Sequence, residues 1–211
     1  MGTWNTDKLH SSVRFEVEHM GASIFGAGFR DFEASVVSGP DGAELRGTAR
    51  VESFEVQDEQ LRPHVMSPEF LDVERHPELT FRSTALRPDG DELVAEGQLT
   101  IRGTTRDVEA RGRVGKPVED PYGSQRLALT LGTVVDRTEF GLGWQMDLPG
   151  GGVALANEVK LVVSGADQGV VRPCTSSASP AAFAADRTTP SCSGRRQHCC
   201  RPVSSSNGSM V

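Results

Sequence analysis

Few side chains in this sequence are spaced for chemistry. His10, His19, His64 and His76 are scattered along the chain, and none stands in the His-x-His or His-Glu-x-x-His spacing that sets two imidazoles on one metal ion. A folded sheet could bring His19 and His64 to one mouth, but hydrogen bonding of each ring to loop backbone is the better reading. His198 with Cys192, Cys199 and Cys200 is the other metal-like or redox-like grouping. Adjacent cysteines without a two-residue gap make a poor tetrahedral chelate, so no metal site is expected. The paired acids Asp72 with Glu74 and Glu119 with Asp120 fall in polar stretches that read as solvated faces. The sequence has no Gly-x-Ser-x-Gly elbow, no phosphate-cradling loop and no complete Gly-x-Gly-x-x-Gly. No catalytic residue is assigned, and the protein is expected not to be an enzyme.

The elements that would have to position any site are strands. Residues 93–114 read LVAEGQLTIRGTTRDVEARGRV, two period-2 runs around Arg102-Gly103-Thr104-Thr105. That is the pattern of an antiparallel hairpin with one apolar and one charged face. Small inner-face residues, Ala95, Gly97, Ala110 and Gly112, imply room inside the sheet. Val13, Phe15 and Val17 mark a first strand over 12–18. Phe32, Ala34 and Val36 mark a second, closed by a Gly39-Pro40-Asp41-Gly42 turn, and Leu45, Gly47, Ala49 and Val51 a third within 43–56. Trp4 to His10 reads as a lead-in. The Gly- and Ala-rich residues 19–28 read as a helical turn or loop over one end, with Ile24, Phe25 and Phe29 as a mobile cap. Pro63 and Ser67-Pro68-Glu69 carry helix-start signals, so one or two short helices are predicted within 57–77. Strand rhythm returns at Leu79 and Phe81, then over 126–136 (Leu127, Leu129, Leu131, Thr133, Val135), then over about 156–164 (Val159, Leu161, Val163). About eight short antiparallel strands with edges to dispose of predict an all-β, eight-stranded barrel, wide enough for one small or threadlike ligand.

Composition separates a domain from a tail. The chain has 211 residues and a net charge of −7; residues 167–211 hold five arginines against Asp167 and Asp186, so residues 1–166 carry about −10. An acidic domain disfavours nucleic acid and anionic membrane surfaces as partners. All four cysteines, Cys174 included, lie in residues 167–211, a Ser-, Pro- and Ala-rich stretch expected to be a disordered tail. The start shows no apolar export segment and no later run is long enough to span a bilayer, so a cytoplasmic protein without stable membrane insertion is expected. Residues 1–6 fit the pattern for N-myristoylation, yet Trp4 reads as the beginning of the fold.

Several segments, in consistent order over roughly residues 4–165, carry a resemblance. They are Trp4 with His10-Ser11-Ser12-Val13-Arg14-Phe15, Gly28-Phe29-Arg30-Asp31-Phe32, Ser67-Pro68-Glu69-Phe70-Leu71, His76-Pro77-Glu78-Leu79-Thr80-Phe81, Gly97-Gln98-Leu99-Thr100-Ile101-Arg102-Gly103 and Arg137-Thr138-Glu139-Phe140-Gly141-Leu142. Together they resemble the YceI family. The resemblance implies a lipocalin-like barrel that binds a polyisoprenoid or similar long-chain amphiphile inside and performs no chemistry on it. Pro63, ahead of His64, departs from the Arg-Asp pair usual there.

A barrel alternating Phe and Leu with Gly and Ala should enclose an elongated apolar cavity. The candidate lining is Phe15, Val17, Phe32, Leu45, Ala49, Phe81, Gly97, Leu99, Ile101, Leu129, Leu131, Leu142 and Trp144. His19, Arg62 or Trp144 could hold a head group at the mouth. The expected ligand is an isoprenoid lipid or isoprenoid quinone, with no other cofactor and no metal. The competing readings are an accessory to quinone-linked redox or stress chemistry, and a lipid-free barrel that acts through its acidic surface. Exposed strand edges leave a homodimer open.

Overall fold

The computed structural model describes residues 2–39 and 42–171. By its contacts the chain divides into a unit of residues 1–174 and one of 175–211; the four cysteines, His198 and the Pro40-Asp41 turn lie outside the described residues.

Twelve strands form one antiparallel sheet among the described residues. They are β1 (Gly2–Thr6), β2 (Ser12–His19), β3 (Ser23–Phe29), β4 (Phe32–Gly39), β5 (Gly42–Arg50), β6 (Phe54–Glu55), β7 (Glu78–Asp89), β8 (Glu92–Ile101), β9 (Thr104–Val114), β10 (Val118–Glu119), β11 (Gln125–Asp136) and β12 (Leu155–Val171). Eight of them, β11-β9-β8-β7-β5-β4-β1-β12, close into a ring because β12 also pairs with β11. The lipocalin-like barrel expected from the sequence is thus present. Its closure depends on β12, which pairs with β11 along one edge and with β2 and then β1 along the other. The one α-helix among the described residues, α1 (Arg62–Met66), carries Pro63 at its start as expected. Ser67 does not cap a second helix: its hydroxyl accepts from Glu69 N and the chain continues in turns. No described helix is long and apolar enough to cross a membrane.

Three sequence expectations are corrected. Residues 2–6 are a strand rather than a lead-in, with Trp4 opposite Val36 and Gly169. Residues 23–29 are a strand rather than a mobile cap. Alternation there is hidden because its outward positions are Ile24, Gly26 and Gly28, while Ala27 and Phe29 are buried. The last strand extends past Ser164 to Val171, so pairing continues beyond Ala166. Shortening the chain after Val171 is therefore expected to leave the melting temperature unchanged. Ending it after Ala166 removes all five partners of β1 on β12 and leaves only those on β4, a loss worth about 3 kcal/mol, or roughly 10 °C by calorimetry.

The interior divides into a middle and two ends. At one end, Phe15, Phe29 and Phe54 pack together with ring centroids 6.0 to 6.3 Å apart, and Phe140, Ile101 and Val135 pack beside Leu99. At the other, Trp4 lies so close over Gly169 that a Cβ there would come within 2.2 Å of the indole. Leu45, Ala95, Ala110, Leu129 and Leu131 form the middle.

Candidate binding cavity

Between the two ends the ring encloses a cavity of about 120 Å³, open on part of its boundary. Its wall comes from almost every strand of the ring: Phe32 and Ala34 of β4, Leu45 and Gly47 of β5, Phe81 of β7, Leu99 of β8, Val108 and Ala110 of β9. Strand β11 adds Leu129, Leu131, Gly132 and Thr133, and β12 adds Leu161, Val163, Ser164 and Gly165. Thr6 and Ser11 border it where β1 ends and β2 begins. No lining residue is ionisable. Such a wall recognises an uncharged, apolar molecule by shape and burial.

Of the thirteen residues expected to line the interior, the structure brings six together here: Phe32, Leu45, Phe81, Leu99, Leu129 and Leu131. The other seven lie elsewhere. Phe15 and Ala49 belong to the aromatic end, and Val17 is buried in β2 opposite Val159. Ile101 and Leu142 pack around Phe140. Trp144 leaves the barrel to meet His64 and Phe70, at ring centroid distances of 5.3 and 5.2 Å. Gly97 faces inward but opens no room, because a Cβ on it would lie 2.5 Å from Arg82 O and 2.8 Å from Ser83 Cα at the bulge in β7. Gly112 is the same: a Cβ would fall 1.8 Å from Thr130 O. Small residues here mark two kinds of place. At Gly97 and Gly112 a neighbouring backbone takes the space, whereas at Gly47, Ala34 and Ala110 the space stays empty. Thr6 and Ser11 are absent from the expected lining because residues 4–10 read as a lead-in; the inward alternation of Trp4 and Thr6 is the available signal.

Polar groups organise the periphery. Arg137 is buried, and its guanidinium donates to the carbonyls of Ala156 (2.9 Å), Trp144 (2.8 Å) and Leu142. Burial pulls its pKa below the usual value, an effect the Asp136 charge offsets in part. It thereby holds the loop after Phe140 against the start of β12. Arg137→Gln is expected to leave carbonyls unpaired, lower stability by about 2 to 3 kcal/mol in urea unfolding, and release Trp144, seen as a red-shifted fluorescence. Arg102, at the β8–β9 turn, donates to Gly141 O and Pro68 O and so ties that loop to the segment after α1. His64 lies against Phe70 and Trp144, His10 against Asp7, and His19 stands at the end of β2 opposite Ser23 and Leu155. Arg62 is turned to Glu52 O. Among the described residues no group of three His, Cys, Asp or Glu side chains is placed to hold a metal.

The β1–β2 loop beside Thr6 and Ser11 is fastened by Asp7, which accepts from His10 at 2.9 Å, from Leu9 N at 3.1 Å and from Arg126. Arg126 also pairs with Asp120 at 2.9 Å. The His10 hydrogen bond above all, with Leu9 N and Arg126, holds the Asp7 carboxyl down at about 2, from an ordinary 3.8. A depressed carboxylate stabilises above its unfolded pKa and loses that contribution as pH falls through the folded one. The loop is expected to hold unchanged from neutral pH to about 4 and to loosen between about 4 and 2, which backbone NMR shifts of residues 7–11 would follow.

A model of the YceI-like domain matches residues 4–166. The Protein YceI of Salmonella arizonae is 28% identical over 158 residues, covering 74% of this chain and 80% of its own. Among solved structures, Burkholderia cenocepacia BcnA superposes with a TM-score of 0.64 at 22% identity over 79% of this chain and 99% of its own. The Campylobacter jejuni YCEI protein gives 0.58 at 17% identity, over 72% and 88%. A polyisoprenoid binding domain from Saccharophagus degradans gives 0.53 at 8% identity, over 79% and 97%.

Proposed function

Since the chain belongs to the YceI family, we propose that its barrel binds an elongated apolar lipid, a polyisoprenoid lipid or isoprenoid quinone, and carries or sequesters it without chemical change. The observation that carries this reading is the uncharged cavity inside the strand ring. The polyisoprenoid binding described for the Saccharophagus degradans domain, which shares the fold, supports the class of ligand. Each methylene-sized group moved from water into such a wall gains about 0.8 kcal/mol. Some fifteen to twenty of them, less about 4 to 8 kcal/mol for association, reach the roughly −8 kcal/mol of micromolar binding. A cavity without fixed charges rewards a chain whose polar head is neutral or stays outside.

The deciding experiment is denaturing extraction of the protein purified without denaturant, followed by mass spectrometry of the small molecules released. A stoichiometric polyprenyl chain or quinone is the expected result. A protein that comes out empty and takes up no isoprenoid in vitro would move the function to its acidic outer surface.

A further inference from the structure

Both ends of the barrel interior are filled, by Phe15, Phe29 and Phe54 at one and by Trp4 at the other, so a ligand reaches the cavity through the side wall. At one place that wall is a loop. Along β12, pairing passes from β2, with Ser12 opposite Ser164, to β1, with Thr6 opposite Asp167. Residues 7–11 between them form turns and not a strand. Along β4, pairing with β1 ends at Ser35 opposite Asn5, and the Thr6 hydroxyl then bridges to Ala34 N and O at 2.7 and 2.9 Å. Thr6 and Ser11, which bound the loop, both line the cavity. Residues 7–11 are thus a strap over a side mouth. Asp7 ties it to Arg126 of β11 on one flank, and Lys8 ties it to Asp31, next to β4, at 2.8 Å on the other.

What surrounds the mouth on the outside is apolar. Leu9, at the tip of the strap, is 90% exposed although its backbone N–H is held by the Asp7 carboxylate at 3.1 Å. Tyr122, 93% exposed, stands on a turn held in the same way by Asp120 at 2.9 Å, and Arg126 joins the two aspartates. Val118, opposite Arg126 on β10, is exposed as well. Hydrogen bonds and ion pairs therefore fix the two most exposed large apolar side chains among the described residues beside one opening. We infer that Leu9, Val118 and Tyr122 seat this mouth on the surface of a zwitterionic lipid bilayer, the phase from which the barrel draws its cargo.

The inference rests on the lipid binding proposed above. Three side chains on separate turns and a short strand suit a fluid surface that closes round each of them, and a tyrosine, with an apolar ring and a polar tip, suits the interface itself. They bury less than one acyl chain, so the seating is reversible. Charge selects the lipid. Asp7, Asp31, Glu33, Glu119 and Asp120 outnumber Lys8 and Arg126 around the mouth, so anionic head groups are repelled and zwitterionic ones are not.

Transfer of a fluorescent polyprenol from phosphatidylcholine vesicles to the full chain in reductant, followed by stopped flow, tests it. The wild-type rate should rise with vesicle concentration, as collision requires, and fall when phosphatidylserine is mixed in. The double variant Leu9→Ser, Tyr122→Ser should transfer at least about tenfold more slowly, yet bind farnesol dispersed in buffer as the wild type does. Ile24→Ser, which removes an exposed apolar side chain of β3, should transfer at the wild-type rate. Circular dichroism confirms that the variants are folded. A double variant as fast as the wild type overturns the inference, as does an Ile24→Ser protein as slow as the double variant. So does a wild-type rate that ignores vesicle concentration or rises with phosphatidylserine. A wild type that fails to bind even dispersed farnesol strikes the lipid reading itself, and this inference with it.

Discussion

Gly47→Leu is expected to weaken uptake of a polyprenyl chain by at least about a hundredfold while the protein stays folded. Gly47 lies between Leu45 and Ala49 on the inner face of β5 and borders the cavity; a Cβ there would meet only Glu33 O, at 3.9 Å. A leucine fits the strand, and replacing glycine within a strand removes a conformational cost. Its four carbons then occupy space the ligand would fill. Four methylene-sized groups at about 0.8 kcal/mol each come to roughly 3 kcal/mol, somewhat over a hundredfold. Titration with a polyprenol, scored by competition with a fluorescent apolar probe, measures the loss. Thr48→Leu, on the outer face of the same strand, should bind normally. Equal affinity for Gly47→Leu and the wild type would mean that the ligand does not reach the middle of the barrel.

Gly112→Val should unfold the domain or lower its stability by about 3 kcal/mol or more, an effect of opposite kind at a residue of the same inner-face series. Only four register pairs, Val114 to Arg111 against Leu129 to Gly132, hold β9 to β11, and they close the ring. One side-chain bond, Thr133 Oγ1 to Glu109 O at 2.8 Å, extends them. A Cβ at Gly112 would sit 1.8 Å from Thr130 O and 2.9 Å from Leu131 Cα, both backbone atoms with no room to yield. The seam must part, at a cost at or above the upper range of overpacking. Urea unfolding measures it directly. A Gly112→Val protein as stable as the wild type would mean that the ring tolerates an opened seam.

These two glycines show what the sequence could and could not tell. Both stand at inward positions of alternating strands, and alternation alone placed them correctly. Whether an inward glycine faces empty space or a neighbouring backbone depends on strand stagger and on the bulge at Ser83 to Ala85, which no local pattern encodes. For that reason the sequence places Gly97 in the cavity wall, where the structure sets it against the backbone of Arg82 and Ser83. The wall was legible where large apolar residues alternate with polar ones, as at Leu129 and Leu131. It was not legible at Trp144, whose apolar ring is held outside the barrel by Arg137 through backbone carbonyls that carry no side-chain signature. Strand β3 escaped for a similar reason, since Gly26 and Gly28 leave the period-2 rhythm without polar outward residues.

The shared edge of β12 has a consequence for how the protein comes to exist. During synthesis every other strand of the ring emerges before residues 155–171, yet β1 finds its β12 partner only across the span from Thr6 to Asp167. Contacts of such sequence separation slow folding, because a long loop must be closed before they return any stabilisation. Until β12 leaves the ribosome the nascent sheet is open, with its apolar face wet and the edge of β11 unpaired on that side. That interval is when the chain is most exposed to aggregation. The cavity exists only after β12 is in place, so any ligand it takes up must enter once the last strand of the ring has paired.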